Sequence, residues 1–191
     1  MREIDEILSL VCGFLDRERM GYVMVGGLVV NFYGLPRTTM DMDLILQIGE
    51  DEMPKLVDFL RRNDFFADIE DMKAALKERT HCTVQDKKSM IRLDIKGIYN
   101  EMDRRTFERR RSFRYGGTRI YIASAEDTIA NKLVFGREQD LRDAEGIFIR
   151  QRRKLEMKYL EKICREMGVT KELVELKRKA RAVEAISKKT I

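Results

Sequence analysis

At 191 residues, 43% of them hydrophobic, the chain can bury one full core plus an appendage and needs no staple to hold it. Its three cysteines, Cys12, Cys82 and Cys164, are scattered and form no Cys-x-x-Cys pair, which argues against a disulfide framework or a zinc site and for a reducing, cytoplasmic setting. The acidic start Met-Arg-Glu-Ile-Asp-Glu and the lack of any long apolar run predict neither a secretory leader nor a membrane-spanning helix. The formal charge of +5 is segregated: residues 150–191 hold fourteen Lys/Arg and six Asp/Glu, a net +8, which leaves −3 for residues 1–149.

Ile4, Ile7, Leu8, Val11, Phe14 and Leu15 recur at three- and four-residue spacing and predict an amphipathic helix over 3–19. Tyr22–Val25 reads as a short strand cut by Gly26 and Gly27, and Leu28–Tyr33 as a short helix stopped by Gly34 and Pro36. Asp41–Ile48 is the next strand and Asp51–Asn63 the next helix, with Met53, Leu56, Val57 and Leu60 inward. Residues 67–79 are ambiguous between strand and helix. His81–Gln85 and Met90–Lys96 alternate on either side of a polar Asp-Lys-Lys-Ser turn and predict a hairpin, with Asp94 near the end of its second strand. After an arginine-rich stretch over 104–114, Tyr115-Gly116-Gly117 turns the chain into a strand over Arg119–Ile122. Strand signals then cease. Ser124 followed by Asp127 reads as a helix start, and helices are predicted over Glu138–Arg150, Leu155–Met167 and Lys171–Ile186, the last on Leu173, Leu176, Ala180 and Val183. The expected fold is α/β, a mixed sheet flanked by helices over 1–122, with a helical region over 123–191 packed on it.

Asp41 and Asp43 stand two apart in a predicted strand and so share a face, about 6.6 Å apart along it. Paired carboxylates repel unless a cation neutralises them, and hard oxygen donors suit Mg²⁺ or Mn²⁺, which also hold substrate phosphates. A third carboxylate on a neighbouring strand, Asp94 in Met-Ile-Arg-Leu-Asp-Ile-Lys-Gly, would complete a two-metal site able to stabilise attacking and leaving oxygens in phosphoryl or nucleotidyl transfer. Gly26 and Gly27, at a strand-to-helix turn, would let a phosphate reach backbone N–H groups at a helix N-terminus.

The Gly-Gly pair, thirteen intervening residues and Asp-x-Asp heading a strand, with a later strand aspartate, resemble the DNA polymerase β-like nucleotidyltransferase superfamily. More narrowly, VGGLVVNFYGLPRTTMDMDL followed by SAEDTIANKLVFGREQDLRDAEGI resembles the AbiEii-type nucleotidyltransferases of toxin–antitoxin systems. The resemblance implies that Gly26 and Gly27 bind the triphosphate and that Asp41, Asp43 and Asp94 hold Mg²⁺ or Mn²⁺. It implies that Lys132, with Asp140 and Asp143, completes the site. Arg37 and Thr39, just before the aspartates, are candidates for orienting phosphates. The implied activity is transfer of an NMP from an NTP to a hydroxyl, with RNA such as a tRNA end or a protein as acceptor and a cognate antitoxin as partner. The competing reading is a binding module that keeps the fold without turnover.

Simpler readings compete at several positions. Arg37 pairs as readily with an acid, and Asp140 and Asp143 with Arg137 or Arg142 on their own helix. His81, the only histidine, reads as a partly buried strand residue. The 104–114 stretch interleaves Arg with Phe107 and Phe113, which suits nucleic acid but suits better an amphipathic helix with two core phenylalanines.

Overall fold

The computed structural model describes residues 2–187, with side chains to residue 182, so Val183 lies outside the described side chains. Strands β1 (Gly21–Val25), β2 (Asp41–Gln47), β3 (Phe65–Phe66), β4 (Cys82–Asp86), β5 (Arg92–Gly97), β6 (Arg111–Tyr115) and β7 (Thr118–Ile122) form one mixed sheet in the order β3-β4-β5-β2-β1-β7-β6. The helices are α1 (Ile4–Arg17), α2 (Gly26–Tyr33), α3 (Met53–Arg62), α4 (Ile69–Lys77), α5 (Glu101–Glu108), α6 (Ala125–Phe135), α7 (Glu138–Gln151), α8 (Met157–Glu166) and α9 (Thr170–Ser187). The chain up to Leu28 forms one compact unit with Thr38–Ala123, and Val29–Arg37 forms a second with the chain from Ser124.

In the first unit, alternation sends Tyr22, Met24, Met42, Leu44, Leu46, Leu93, Ile95, Ile120 and Ile122 to one sheet face, where all are buried. Helix α1 packs against β1 and β7 with Ile7, Leu8, Val11, Cys12 and Leu15 inward. Its Phe14 stacks on Phe59 of α3, ring centroids 3.8 Å apart. Each such side chain contributes roughly 1.5–3 kcal/mol of burial free energy. The opposite face carries the buried Val23 and Ile45 and, beside them, the carboxylates Asp41, Asp43 and Asp94. There β1 runs antiparallel to β2 with Val25 opposite Asp43, β2 runs parallel to β5 with Asp43 beside Asp94, and β4 sets Thr83 beside Asp94.

The ambiguous 67–79 stretch is α4. Asp68 starts it by accepting from the Glu70 and Asp71 N–H groups at 2.8 and 3.4 Å, and only Met72 and Ala75 are buried, too few for a clear period. The arginine-rich 104–114 stretch divides into a helix and a strand. Asn100 caps α5 by accepting from the Asp103 N–H at 2.8 Å, and β6 then pairs with β7 across a two-residue turn in which Gly116 and Gly117 have φ of +52° and +83°. β6 escapes sequence reading because Arg111–Arg114 are all exposed and show no apolar alternation. Phe107 is buried as expected of a core residue, but Phe113 is 37% exposed, because it stands on the outermost strand.

In the second unit, Ser124 caps α6 by accepting from the Asp127 N–H at 3.1 Å, and Gly136 ends it in the left-handed conformation. Gly146 of α7 lets the helix approach the 34–35 backbone, since a Cβ there would meet the Leu35 nitrogen at 3.3 Å. Leu160, Ile163 and Cys164 of α8 are buried, and so are Leu173, Leu176 and Ala180 of α9, the last three in line with the spacing expected of that helix.

The three cysteines are free and buried, and burial pushes the thiols of Cys12 and Cys164 up to about 12 and about 11, so neither offers a thiolate at neutral pH. Among the described residues no helix is long and apolar enough to cross a membrane.

Gly117 supplies the first prediction. An alanine at its φ of +83° is strained by about 1–2 kcal/mol, so Gly117→Ala lowers the thermal midpoint by several degrees in a calorimetric scan, and an unchanged midpoint contradicts the turn geometry.

Candidate active site

Gly26 leaves β1 with φ +71° and opens α2. Because Val25 lies opposite Asp43, the Gly26 backbone rests directly on the Asp43 side chain: a Cβ at Gly26 would stand 2.6 Å from Asp43 Cγ and 3.1 Å from its Cβ. Any side chain there would evict the carboxylate. Glycine is required twice over, by conformation and by space. Gly27 follows in the first turn of α2, which holds no acidic residue and so presents N–H groups and the positive end of the helix dipole to an anion.

Asp94 is the in-register neighbour of Asp43, and its Oδ1 accepts a hydrogen bond of 2.6 Å from the Thr83 hydroxyl. Asp41, two residues before Asp43 on the same face, is turned toward Arg92, whose Nε and Nη2 both donate to Asp41 Oδ1, at 2.9 and 2.7 Å. That hydrogen bond and the charge behind it raise the Arg92 pKa further above its ordinary value. Thr39 braces the approach to β2, its hydroxyl 3.4 Å from both the nitrogen and the oxygen of Asp41. The structure thus gathers Gly26, Asp43 and Asp94 and gives Asp41 an arginine partner. Among the described residues no three His, Cys, Asp or Glu side chains are grouped closely enough to hold a metal ion as they stand. The donor chemistry nevertheless fits a hard divalent cation, with three carboxylates on one sheet face and a glycine where a Cβ would fill the space beside Asp43.

The second unit gathers the remaining expected residues into a buried ion-pair chain. Lys132 Nζ lies 2.7 Å from Asp140 Oδ1 and 2.9 Å from Asp143 Oδ2. Arg37 Nε and Nη2 reach Asp143 at 3.1 and 3.2 Å, Gln139 donates to Asp143 at 2.8 Å, and Arg137 Nε donates to Asp140 at 2.7 Å. Burial pushes both carboxyls up, but the hydrogen bonds outweigh it. Arg137 and Lys132 hold Asp140 below the usual carboxylate range, and Lys132, Gln139 and Arg37 do so for Asp143. Of the simpler pairings, Asp140 with Arg137 is present, whereas Arg142 pairs with Glu138 instead. His81 corrects its expectation: it is exposed and precedes β4, because the hairpin pairing starts at Cys82.

Thr83, Arg92 and Gln139 escaped sequence reading. The first two were within reach of it, since Arg92 and Asp94 are two apart on one strand and Thr83 faces Asp94 once the hairpin register is set. Gln139 carries no such signal.

The sequence matches no protein-family model and no curated protein. Solved structures do match in three dimensions. An antigenic nucleotidyltransferase-like protein from Paracoccidioides brasiliensis superposes with TM-score 0.56 at 17% identity, over 76% of this chain and 75% of that one. ANT(2")-Ia in complex with adenylyl-2"-tobramycin gives 0.57 at 10% identity, over 86% and 96%. The fold is that of a nucleotidyltransferase. A third nucleotidyltransferase-fold match, the lincomycin-bound lincosamide antibiotic adenylyltransferase LnuA, gives 0.52 at 14% identity, over 77% and 96%.

The ion-pair chain yields a prediction on stability and pH. Carboxyls held below their unfolded value stabilise the fold fully above about pH 5, and that contribution is lost as pH falls through the depressed folded values. Lys132→Met removes the shared cation and leaves Arg37 and Arg137, so its cost falls at the lower end of the roughly 3–5 kcal/mol of a broken buried pair. Acid unfolding followed by circular dichroism then moves to higher pH in the variant. A midpoint at unchanged or lower pH contradicts the assignment.

Proposed function

We propose that the protein is a metal-dependent nucleotidyltransferase that moves an NMP from an NTP to a hydroxyl acceptor. The observation that carries this reading is the contact of the Gly26 backbone with the Asp43 carboxylate, beside Asp94 and at the opening of α2. It supplies an anion cradle and an anionic metal ligand at one point of one unit, which is what a metal–triphosphate needs and what neither a lone turn nor a lone acid pair explains.

Asp41, Asp43 and Asp94 would hold Mg²⁺ or Mn²⁺, which supplies charge neutralisation on the phosphates and on the entering and leaving oxygens. Gly26 and Gly27 present N–H groups to the triphosphate. Thr83 fixes Asp94 by its Oδ1, which aims the carboxylate to take the acceptor's proton. The acceptor oxygen bonds to the α-phosphorus in line as the bond to pyrophosphate breaks. Arg37, Thr39, Lys132 and Asp143 enter as nucleotide contacts through the resemblance, and for Arg37 and Lys132 that role requires trading a carboxylate for a phosphate. The motif spacing supports the AbiEii-type assignment and, with it, a cognate antitoxin partner and an RNA or protein acceptor.

One observation favours the alternative of a binding module that does not turn over: Arg92 already occupies Asp41 with two hydrogen bonds where a cation would have to bind. Incubation with each α-³²P-labelled NTP, Mg²⁺ or Mn²⁺ and total cellular RNA separates the two. Label enters RNA or protein with the intact chain and falls about 100-fold or more with Asp43→Ala, since several kcal/mol of charge stabilisation is lost. Absence of label with every NTP and both metals, in protein that still binds NTP, decides for the binding module.

A further inference from the structure

The β6–β7 hairpin sets Arg114 directly opposite Arg119, both exposed. Like charges in this position destabilise a hairpin. The Gly116-Gly117 turn between Tyr115 and Thr118 leaves no other register, so the repulsion is built in. Residues 109–122 contain five arginines and no Asp or Glu. The Arg119 guanidinium lies beside Tyr121, and beyond the hairpin Asp16 attracts it more weakly. Arg110 lies over two rings, 4.1 Å from the Phe107 centroid and 5.3 Å from that of Tyr121.

The register also says which way this surface faces. Met24 pairs with Ile122 and Val25 with Asp43, so Arg119 and Tyr121 share a sheet face with Asp43 and Asp94, and Arg114 shares it across the hairpin. Four residues along β7 and two strands across put Arg119 roughly 16 Å from Asp43 by strand spacing. A charged edge strand does guard against unwanted pairing, but an Arg–Glu pair would guard it equally well without repulsion. Arginines beside an aromatic ring are the combination that holds a phosphate backbone and stacks a base.

We propose that Arg114 and Arg119 grip the phosphates of a single-stranded RNA, with Tyr121 as a stacking surface, so that the strand lies along the face that carries the carboxylates. That the strand is the acceptor rests on the nucleotidyl-transfer reading; that it binds here does not.

The test is fluorescence anisotropy with a 5′-labelled 20-nucleotide single-stranded RNA between 50 and 300 mM NaCl, on the wild type, Arg114→Gln/Arg119→Gln and Asp43→Ala. The double variant is expected to bind about tenfold more weakly at low salt. Its slope of log K against log salt shrinks by about 1.4, for two lost single-strand phosphate contacts. Its thermal midpoint does not fall, since a repulsion has been removed, which separates lost binding from lost fold. Asp43→Ala removes a negative charge from the face the strand follows and binds RNA at least as tightly as the wild type. Equal affinity and slope in the double variant overturn the proposal, as does binding of a poly-glutamate peptide in place of RNA, which would mark an acidic protein as the partner. RNA binding by a wild type that transfers no label sinks the nucleotidyl-transfer reading and leaves the hairpin as an RNA surface; transfer without RNA binding does the reverse.

Discussion

The close approach of the Gly26 backbone to the Asp43 carboxylate is the constraint on which the candidate site depends. It follows from a register. The antiparallel pairing of β1 and β2 opposes Val25 to Asp43, so the first residue after β1 must pass over the carboxylate as the chain turns into α2. A residue with a Cβ cannot make that turn without moving Asp43, and φ of +71° would penalise it even in open space. One backbone contact therefore ties an anion-binding helix start to an acidic strand residue, and the parallel β2–β5 pairing adds Asp94 in the next register position.

Charge is managed differently in the two units. In the first, the carboxylates lie on a partly exposed face, and the observed partners are a half-exposed arginine on Asp41 and a threonine on Asp94. Such contacts are exchangeable, because solvent and salt screen an exposed ion pair. In the second, Lys132, Asp140 and Asp143 are buried and each makes more than one polar contact, so the cluster holds its members in place and resists loss of any of them. The same residue types thus serve as replaceable ligands in one setting and as fixed structure in the other, and burial makes the difference.

Much of the first unit was legible in the sequence because its signals are local. The glycine pair at the end of an apolar run, the alternating aspartates and the hairpin around Asp-Lys-Lys-Ser each appear within a few residues, and the strands and helices they predict match β1, α2, β2, β4 and β5 within one or two residues. β6 was not legible, since a wholly exposed arginine-rich strand lacks the apolar period by which strands are read. α4 was obscure because it buries only two side chains.

The sequence by itself determined which residue types stand at which spacing: carboxylates two apart in a strand, glycines ahead of a helix, arginines on either side of a Gly-Gly turn. These follow from backbone periodicity and local stereochemistry. Only the tertiary structure decided partners. It gave Asp43 the Gly26 backbone, Asp41 the Arg92 guanidinium, and Lys132 two carboxylates in place of solvent. Strand order and register are long-range choices, set by the burial of whole sheet faces, and no local pattern in the chain encodes which charged side chains those choices bring together.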